Sequence, residues 1–116
     1  MISLDQLEAM FENIRQGAGW DMSQPMLWGY FFTDKSREKL ESLMPLLERE
    51  GYRFVDLFVP ELDEGEEPYF FLHVEKAEVH SPHSLHQRNA ALYALAERYA
   101  VDSYDGMDVG PLTDRG

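Results

Sequence analysis

The chain has 116 residues, of which 44% are hydrophobic and none is cysteine, so it is long enough for one domain with a buried core and no disulfides. Its 22 acidic and 10 basic residues give a net charge of −12. That charge repels a phosphate backbone at long range and disfavours direct nucleic-acid binding, while the missing thiols exclude cysteine nucleophiles and cysteine-ligated metals.

The first predicted element is a helix over residues 3–16. Ser3 and Gln6 have the spacing of a capping box, in which each side chain bonds the other residue's backbone N–H. Apolar residues then recur at helical spacing until Gly17 and Gly19 end the pattern. The apolar stripe consists of Leu4, Leu7, Met10, Phe11 and Ile14.

Four later segments predict strands. Residues 26–33 and 69–74 are apolar or aromatic on both faces, which is typical of central strands covered on two sides. Residues 52–59 alternate more nearly between polar and apolar side chains, and residues 101–109 form a final short strand or extended segment. We therefore expect the first two segments in the middle of a sheet.

Two helices are predicted between these strands. The first has Thr33 or Asp34 as its cap and ends at Gly51. The second begins at Ser81 and Pro82, because Ser is a favoured cap and Pro fits the first helical position. Their order with the strands is strand, helix, strand, strand, helix, strand.

That order predicts an α+β protein with a ferredoxin-like antiparallel sheet and an extra N-terminal helix. Both main helices then cover one face of the sheet, and the first helix or a partner covers the other. We expect a single domain. It divides into an N-terminal helix at 3–16, a core at 26–110 and a tail at 111–116, within a domain of 1–116.

The histidines are weighed as metal ligands. His80, His83 and His86 are three residues apart, and His73 lies on the preceding strand. Pro82 interrupts the run and no carboxylate has matching spacing, so we predict no metal, no tightly held zinc and no other cofactor. The chain also lacks a nucleophile elbow, a P-loop and a dinucleotide fingerprint, which argues against an enzyme.

The aromatic residues of the two central strands suggest a platform on one sheet face. RNA-recognition domains of this topology stack bases on such a face. The segment 68–74 lacks the basic residue and the glycine of that motif, so core packing or a protein interface is favoured. The candidate platform consists of Trp28, Tyr30 and Phe32, or their neighbours in the strand, beside Tyr69, Phe71 and His73.

Acidic residues cluster in the turn between the second and third strands, and turn residues recur near the C-terminus. Tyr104, Asp105 and Gly106 end or bulge the last strand. The candidate protein-binding residues are Glu61, Asp63, Glu64, Glu66, Glu67, Tyr104 and Asp105.

The segment from Leu92 to Gly106 resembles the closing helix and strand of the regulator of ribonuclease E activity B family. The strand Trp28-Gly29-Tyr30-Phe31-Phe32 and the Gly51-Tyr52 pair are similar to compact members of the same family. The resemblance spans roughly residues 26 to 110. It implies a ferredoxin-like, cytoplasmic protein that inhibits the endoribonuclease of the RNA degradosome by binding that enzyme's regulatory region.

The leading hypothesis is therefore an acidic binding module that regulates a nucleic-acid enzyme through a basic region of that enzyme, without contacting nucleic acid. The runner-up is a small enzyme or ligand-binding domain that uses His73, His80 or the Tyr104–Asp105 pair. A third hypothesis is a homodimer that buries its open sheet face. No secretory signal and no apolar run of roughly 20 residues is visible, so we expect no membrane span. The expected cytoplasmic location is what the resemblance implies.

Overall fold

A computed structural model of the protein describes residues 2–60, 64–65 and 67–112. Within these residues the chain forms three helices and four strands. In chain order they are α1 (Leu4–Gly17), β1 (Met26–Asp34), α2 (Arg37–Arg49), β2 (Arg53–Phe58), β3 (Phe70–Glu78), α3 (Pro82–Arg98) and β4 (Ser103–Gly110).

The strands form one antiparallel sheet in the order β2-β3-β1-β4. The two strands with apolar residues on both faces, β1 and β3, are the central ones, as the sequence predicts. This order is the ferredoxin-like arrangement, so the α+β fold class is confirmed. The observed β3 begins one residue later than the apolar segment 69–74 and also includes the more polar residues 75–78 that follow it, and β4 runs over 103–110 rather than 101–109.

The helix starts follow local sequence. Ser3 and Gln6 form the expected capping box, and Ser81 forms another with Ser84, with Pro82 in the first turn. The expected cap of α2 was wrong, because Ser36 and not Thr33 or Asp34 accepts from the backbone N–H of Lys39. These hydroxyl caps satisfy backbone donors that the first helical turn leaves unpaired.

Asp34 has a different task. Its Oδ1 accepts from the backbone N–H of Ser36 at 2.6 Å, and its Oδ2 accepts from the backbone N–H of Asp102 at 2.9 Å. The side chain is nearly fully buried. Asp34 therefore joins the start of α2 to the segment before β4, two regions 68 residues apart in sequence.

One face of the sheet carries the core. Trp28, Tyr30 and Phe32 alternate along β1, are fully buried and face α2 and α3. Helix α1 contacts α3, and its Phe11 stacks on Trp28 with ring centroids 5.9 Å apart. The first helix thus extends the helix layer on this face and does not cover the opposite one. We call the opposite side, which carries Phe31, Phe71 and His73, the open face.

Candidate functional site

The open face carries five aromatic rings. His73 stacks on Phe31 with centroids 4.3 Å apart, and Phe71 stacks on Phe58 at 5.5 Å. The Phe71 ring also contacts Phe31 edge-on, with centroids 6.3 Å apart, and the centroid of the Tyr69 ring lies 5.7 Å from that of Phe71. All five side chains are half-buried. A continuous aromatic row therefore crosses β2, β3 and β1 on a face that none of the described helices covers.

The strand register decides which residues of β1 belong to this row. The register pairs Phe31 with His73 and Phe32 with Leu72. Since side chains alternate across a strand, Trp28, Tyr30 and Phe32 point to the helices, whereas His73 shares its face with Phe31. Of the two sets that the sequence leaves open for β1, the neighbours of Trp28, Tyr30 and Phe32 therefore share the open face, and Phe31 is the aromatic residue that lies beside Phe71 and His73.

A groove of about 420 Å³ lies across the open face. Phe31, Phe58 and Phe71 line it together with the β4 segment from Asp105 to Met107. The Met107 side chain itself is on the helix side, where its sulfur accepts from Asn89 Nδ2 at 3.5 Å. Asp105 borders the same groove and is exposed. The groove thus combines an apolar surface with a carboxylate at its edge.

Two irregular pairings set the positions of the acidic side chains on this face. On β4, Gly106 pairs with Phe31 while Tyr104 pairs with Phe32, so Asp105 is the extra residue of a bulge. On β2, the register shifts between Phe54 and Asp56. Bulges bend an edge strand and re-aim its side chains. Both edge strands thereby present exposed carboxylates beside the aromatic row.

A third carboxylate lies near the imidazole of the row. A methyl group added at Gly29 would collide with Asp108 Oδ1 and would come within 2.7 Å of His73 Nε2. The missing side chain of Gly29 therefore allows these two groups to lie above the same point of β1. Burial lowers the pKa of His73, while the charges of Asp108 and Asp56 oppose that shift.

We define the acidic rim as Asp56, Asp105 and Asp108. All three are exposed, and none has an ion-pair partner within residues 2–60, 64–65 and 67–112. On the same face Arg53 contacts Glu75, which neutralises that cation. The rim therefore leaves uncompensated negative charge beside exposed aromatic surface.

The acidic turn between β2 and β3 is only partly described. Glu64 is exposed in a turn with Gly65, and Glu67 pairs with Lys35 at 2.7 Å. A hydrogen bond from Lys35 lowers the pKa of Glu67, so that carboxylate is charged at neutral pH. The other predicted contact residues of this turn, Glu61, Asp63 and Glu66, lie outside the described residues.

The structure separates the two remaining predicted contact residues. Asp105 belongs to the acidic rim, but Tyr104 is only 2% exposed. The Tyr104 hydroxyl donates to Asn89 Oδ1 at 2.6 Å, and its ring contacts Phe32 and Tyr93. Tyr104 is thus a core residue whose position next to the bulge turns its ring inward, and its expected role as a surface anchor is corrected.

The sequence of residues 4–109 matches the family model described as RraB, regulator of ribonuclease activity B. The match covers nearly the whole chain. The chain belongs to this family. No curated protein matches it significantly. The family description identifies a regulator of ribonuclease activity.

Like the open face, the helix side of this RraB-family protein contains a polar cluster, but there three of its five residues are buried and the other two are half-buried. Glu78 accepts two hydrogen bonds from Arg88, at 2.8 and 2.9 Å, and one from the Tyr30 hydroxyl at 2.8 Å. His80 Nε2 lies 3.0 Å from the Tyr30 hydroxyl, and Arg88 also donates to the Tyr52 hydroxyl at 2.9 Å. We call these five residues the Glu78 network.

The Glu78 network gives the buried His80 side chain a structural role. Burial alone would raise the pKa of Glu78, but hydrogen bonds from His80, Arg88 and Tyr30 outweigh burial and lower the pKa to about 2. The carboxylate is charged, and every member of the network has a partner. Sequence reasoning missed Glu78 and Arg88, because residues ten apart across a strand–helix junction follow no local spacing rule.

His83 and His86 do not belong to the Glu78 network. His83 is exposed and His86 is half-buried on α3. Among the residues that the structure describes, no group of three or more His, Asp or Glu side chains has an arrangement that could hold a metal ion. In the same part of the chain, no helix combines the length and apolarity that crossing a membrane requires.

Proposed function

We propose that this RraB-family protein regulates an endoribonuclease by binding a basic segment of that enzyme through the open face, without contacting RNA. The observation that carries the proposal is the aromatic groove bordered by the acidic rim. Arginine and lysine are the side chains that suit both parts, since they pair with carboxylates and stack on aromatic rings. The cytoplasmic location that the family resemblance implies is part of the same proposal.

The two parts of the surface contribute at different stages of binding. Uncompensated carboxylates attract a basic partner before contact and accelerate association. The acidic turn, with Glu61, Asp63, Glu64, Glu66 and Glu67, adds to this long-range attraction. Aromatic rings that lose their remaining water on docking then slow dissociation.

RNA-binding regions of ribonucleases are basic because they contact phosphates. A protein of net charge −12 that occupies such a region competes with RNA for the same cations. This competition accounts for regulation without a catalytic site. The family description names a regulator, so the alternative of a small enzyme or ligand-binding domain that uses His73, His80 or the Tyr104–Asp105 pair is not favoured.

The test is association with a purified degradosome endoribonuclease and with its isolated basic region, measured by stopped flow over a salt series. The open-face variant is Asp56→Asn, Asp105→Asn and Asp108→Asn together. Its matched control is Glu8→Gln, Glu48→Gln and Glu97→Gln, which removes three exposed charges from the helices. We expect the open-face variant to associate about tenfold more slowly at low salt, and the control to change far less.

A second variant separates contact from attraction. Phe58→Ala removes a half-buried ring from the groove and should increase the dissociation rate with little change in association. Equal kinetics in the wild type, the open-face variant and Phe58→Ala would exclude the open face as the docking surface. A concentration-dependent dimer whose formation protects Phe58 and Asp105 would instead identify a second copy of the chain as the occupant.

A further inference from the structure

A second concave site lies on the helix side of the sheet, away from the open face. It is a cavity of about 360 Å³ between the end of α2, the middle of α3 and the start of β2. Its apolar wall is formed by Leu46 of α2 and by Ala91, Leu92 and Leu95 of α3. Cavities of roughly 300–1,000 Å³ with apolar walls and a few polar groups are the usual sites of small ligands.

Three cationic residues and one acidic residue, Glu50, line the same cavity, so its lining has a net positive charge before the pairing of Arg88 is considered. Arg49 ends α2, Lys76 lies on β3, and Arg88 lies on α3. Arg88 is paired with Glu78, but neither Arg49 nor Lys76 has a carboxylate partner within the described ranges of the chain. Two charges on this wall are therefore available to a ligand.

The position of Lys76 is set by local contacts. Its Nζ donates to the backbone carbonyl of Glu50 at 2.8 Å and lies 5.0 Å from the centroid of the Tyr52 ring. Arg88 Cζ lies 5.6 Å from the same ring. Cations near an aromatic face are attracted by its quadrupole, so the buried Tyr52 ring holds two positive groups at one end of the cavity.

Positive charge without a carboxylate partner is concentrated here. In the described part of the chain, four Lys or Arg side chains have no ion pair: Lys39, Arg49, Lys76 and Arg98. Arg49 and Lys76 line the cavity, and Arg98 Cζ lies 5.7 Å from the ring of Tyr99, which also lines it. The charge of these side chains is opposite in sign to the net charge of the chain, which is −12.

We infer that this cavity binds a small amphipathic organic anion. Its carboxylate head would pair with Arg49 and Lys76, and its apolar body would contact Leu46, Leu92 and Leu95. The chemical class of the ligand follows from the two kinds of lining residue. Arg49 and Lys76 favour an anionic group, and the leucine side chains favour an apolar body. The site is separate from the open face and does not depend on the proposed function.

The test is isothermal titration of the full chain with decanoate, below its micelle concentration, and with decanol as the neutral analogue. Decanoate should bind with saturation at one site, and decanol should bind at least about tenfold more weakly, since it lacks the charge that Arg49 and Lys76 recognise. Equal affinity for both probes, or no saturable decanoate binding, would overturn the inference.

Variants locate the site. Arg49→Gln combined with Lys76→Met should weaken decanoate binding about tenfold, whereas Lys39→Met should leave it unchanged. Lys39 is the matched control because it also lacks a carboxylate partner among the described residues but lies outside the cavity and donates to the carbonyl of Ala100. Ala91→Trp should fill the cavity and abolish binding.

Thermal unfolding checks that each variant is folded. If Ala91→Trp or Lys76→Met does not fold, Arg49→Gln alone still decides the matter, because Arg49 is exposed at a helix end. A decanoate affinity that is unchanged in Arg49→Gln would contradict the inference.

Discussion

The two faces of the sheet carry similar side chains but differ in how deeply these side chains are buried. Tyr30 and Phe32 point to the helices and are fully buried, whereas Phe31 between them points to the open face and is half-buried. All three are large aromatic residues of one strand. Hydrophobicity therefore does not distinguish the faces of β1. The difference comes from the helices, which cover only one side.

Polar groups show the same contrast. On the helix side, Glu78 and Arg88 are held in a network in which each has several partners. On the open face, Asp56, Asp105 and Asp108 are exposed and have no ion pair among the residues described. The Glu78–Arg88 pair is therefore satisfied by the fold itself, while the three carboxylates of the acidic rim remain available to a partner.

The largest expected difference between the faces is in stability. Phe32→Ala should lower the free energy of unfolding by about 3–5 kcal/mol, because it leaves a cavity in a close-packed core. Phe31→Ala should cost only about 1 kcal/mol, since its ring is already partly in water. Urea unfolding of both variants measures these two losses in the free energy of unfolding. Equal losses would mean that the open face is covered in solution, and repeating the measurement at several protein concentrations would reveal a dimer.

A smaller effect is expected from the Glu78 network at low pH. A pKa lowered from 4.5 to about 2 means that the folded state binds this proton less readily than the unfolded state. The stabilisation, of order 3 kcal/mol, is present above pH 4.5 and is lost as the pH falls toward 2. Glu78→Gln should therefore be less stable at neutral pH and should converge with the wild type near pH 2.

The measurement is urea unfolding at a series of pH values. Glu41→Gln is the control, because it breaks an exposed pair with Arg37 that contributes little. Its acid profile should run parallel to that of the wild type. If Glu78→Gln also runs parallel, the network does not stabilise the fold through a charged Glu78.

The smallest expected effect is a local pKa change on the open face. The charge of Asp108 opposes the lowering of the His73 pKa by burial. Asp108→Asn should therefore lower the pKa of His73 further, while Asp105→Asn should leave it nearly unchanged. Titration of the His73 ring protons by NMR measures the shift. A rise in the pKa of His73 on removing Asp108 would show that the two side chains do not lie together above Gly29.

Much of the fold could be predicted from local sequence. Serine caps at Ser3 and Ser81 predict helix starts because a hydroxyl satisfies a nearby backbone donor, and this depends only on residues within one turn. The central positions of β1 and β3 follow from apolar residues on both faces. The cap of α2 could not be assigned in the same way, because Asp34 is bound to the distant backbone of Asp102 and leaves the capping position to Ser36.

The candidate site depended on tertiary structure to a larger degree. The acidic and aromatic residue types were visible in the chain, as was Asp105 next to a turn. A strand that is apolar on both sides contains no signal for which face receives the helices, so the sequence could not place Phe31 rather than Phe32 on the open face. The bulge that exposes Asp105 and buries Tyr104 arises from pairing with β1. By itself the sequence determined the elements, their order and the negative charge, because these depend on near neighbours and composition. The strand register and the position of the helices on one face decided which aromatic rings and carboxylates lie close together, because those contacts join residues that are far apart in the chain.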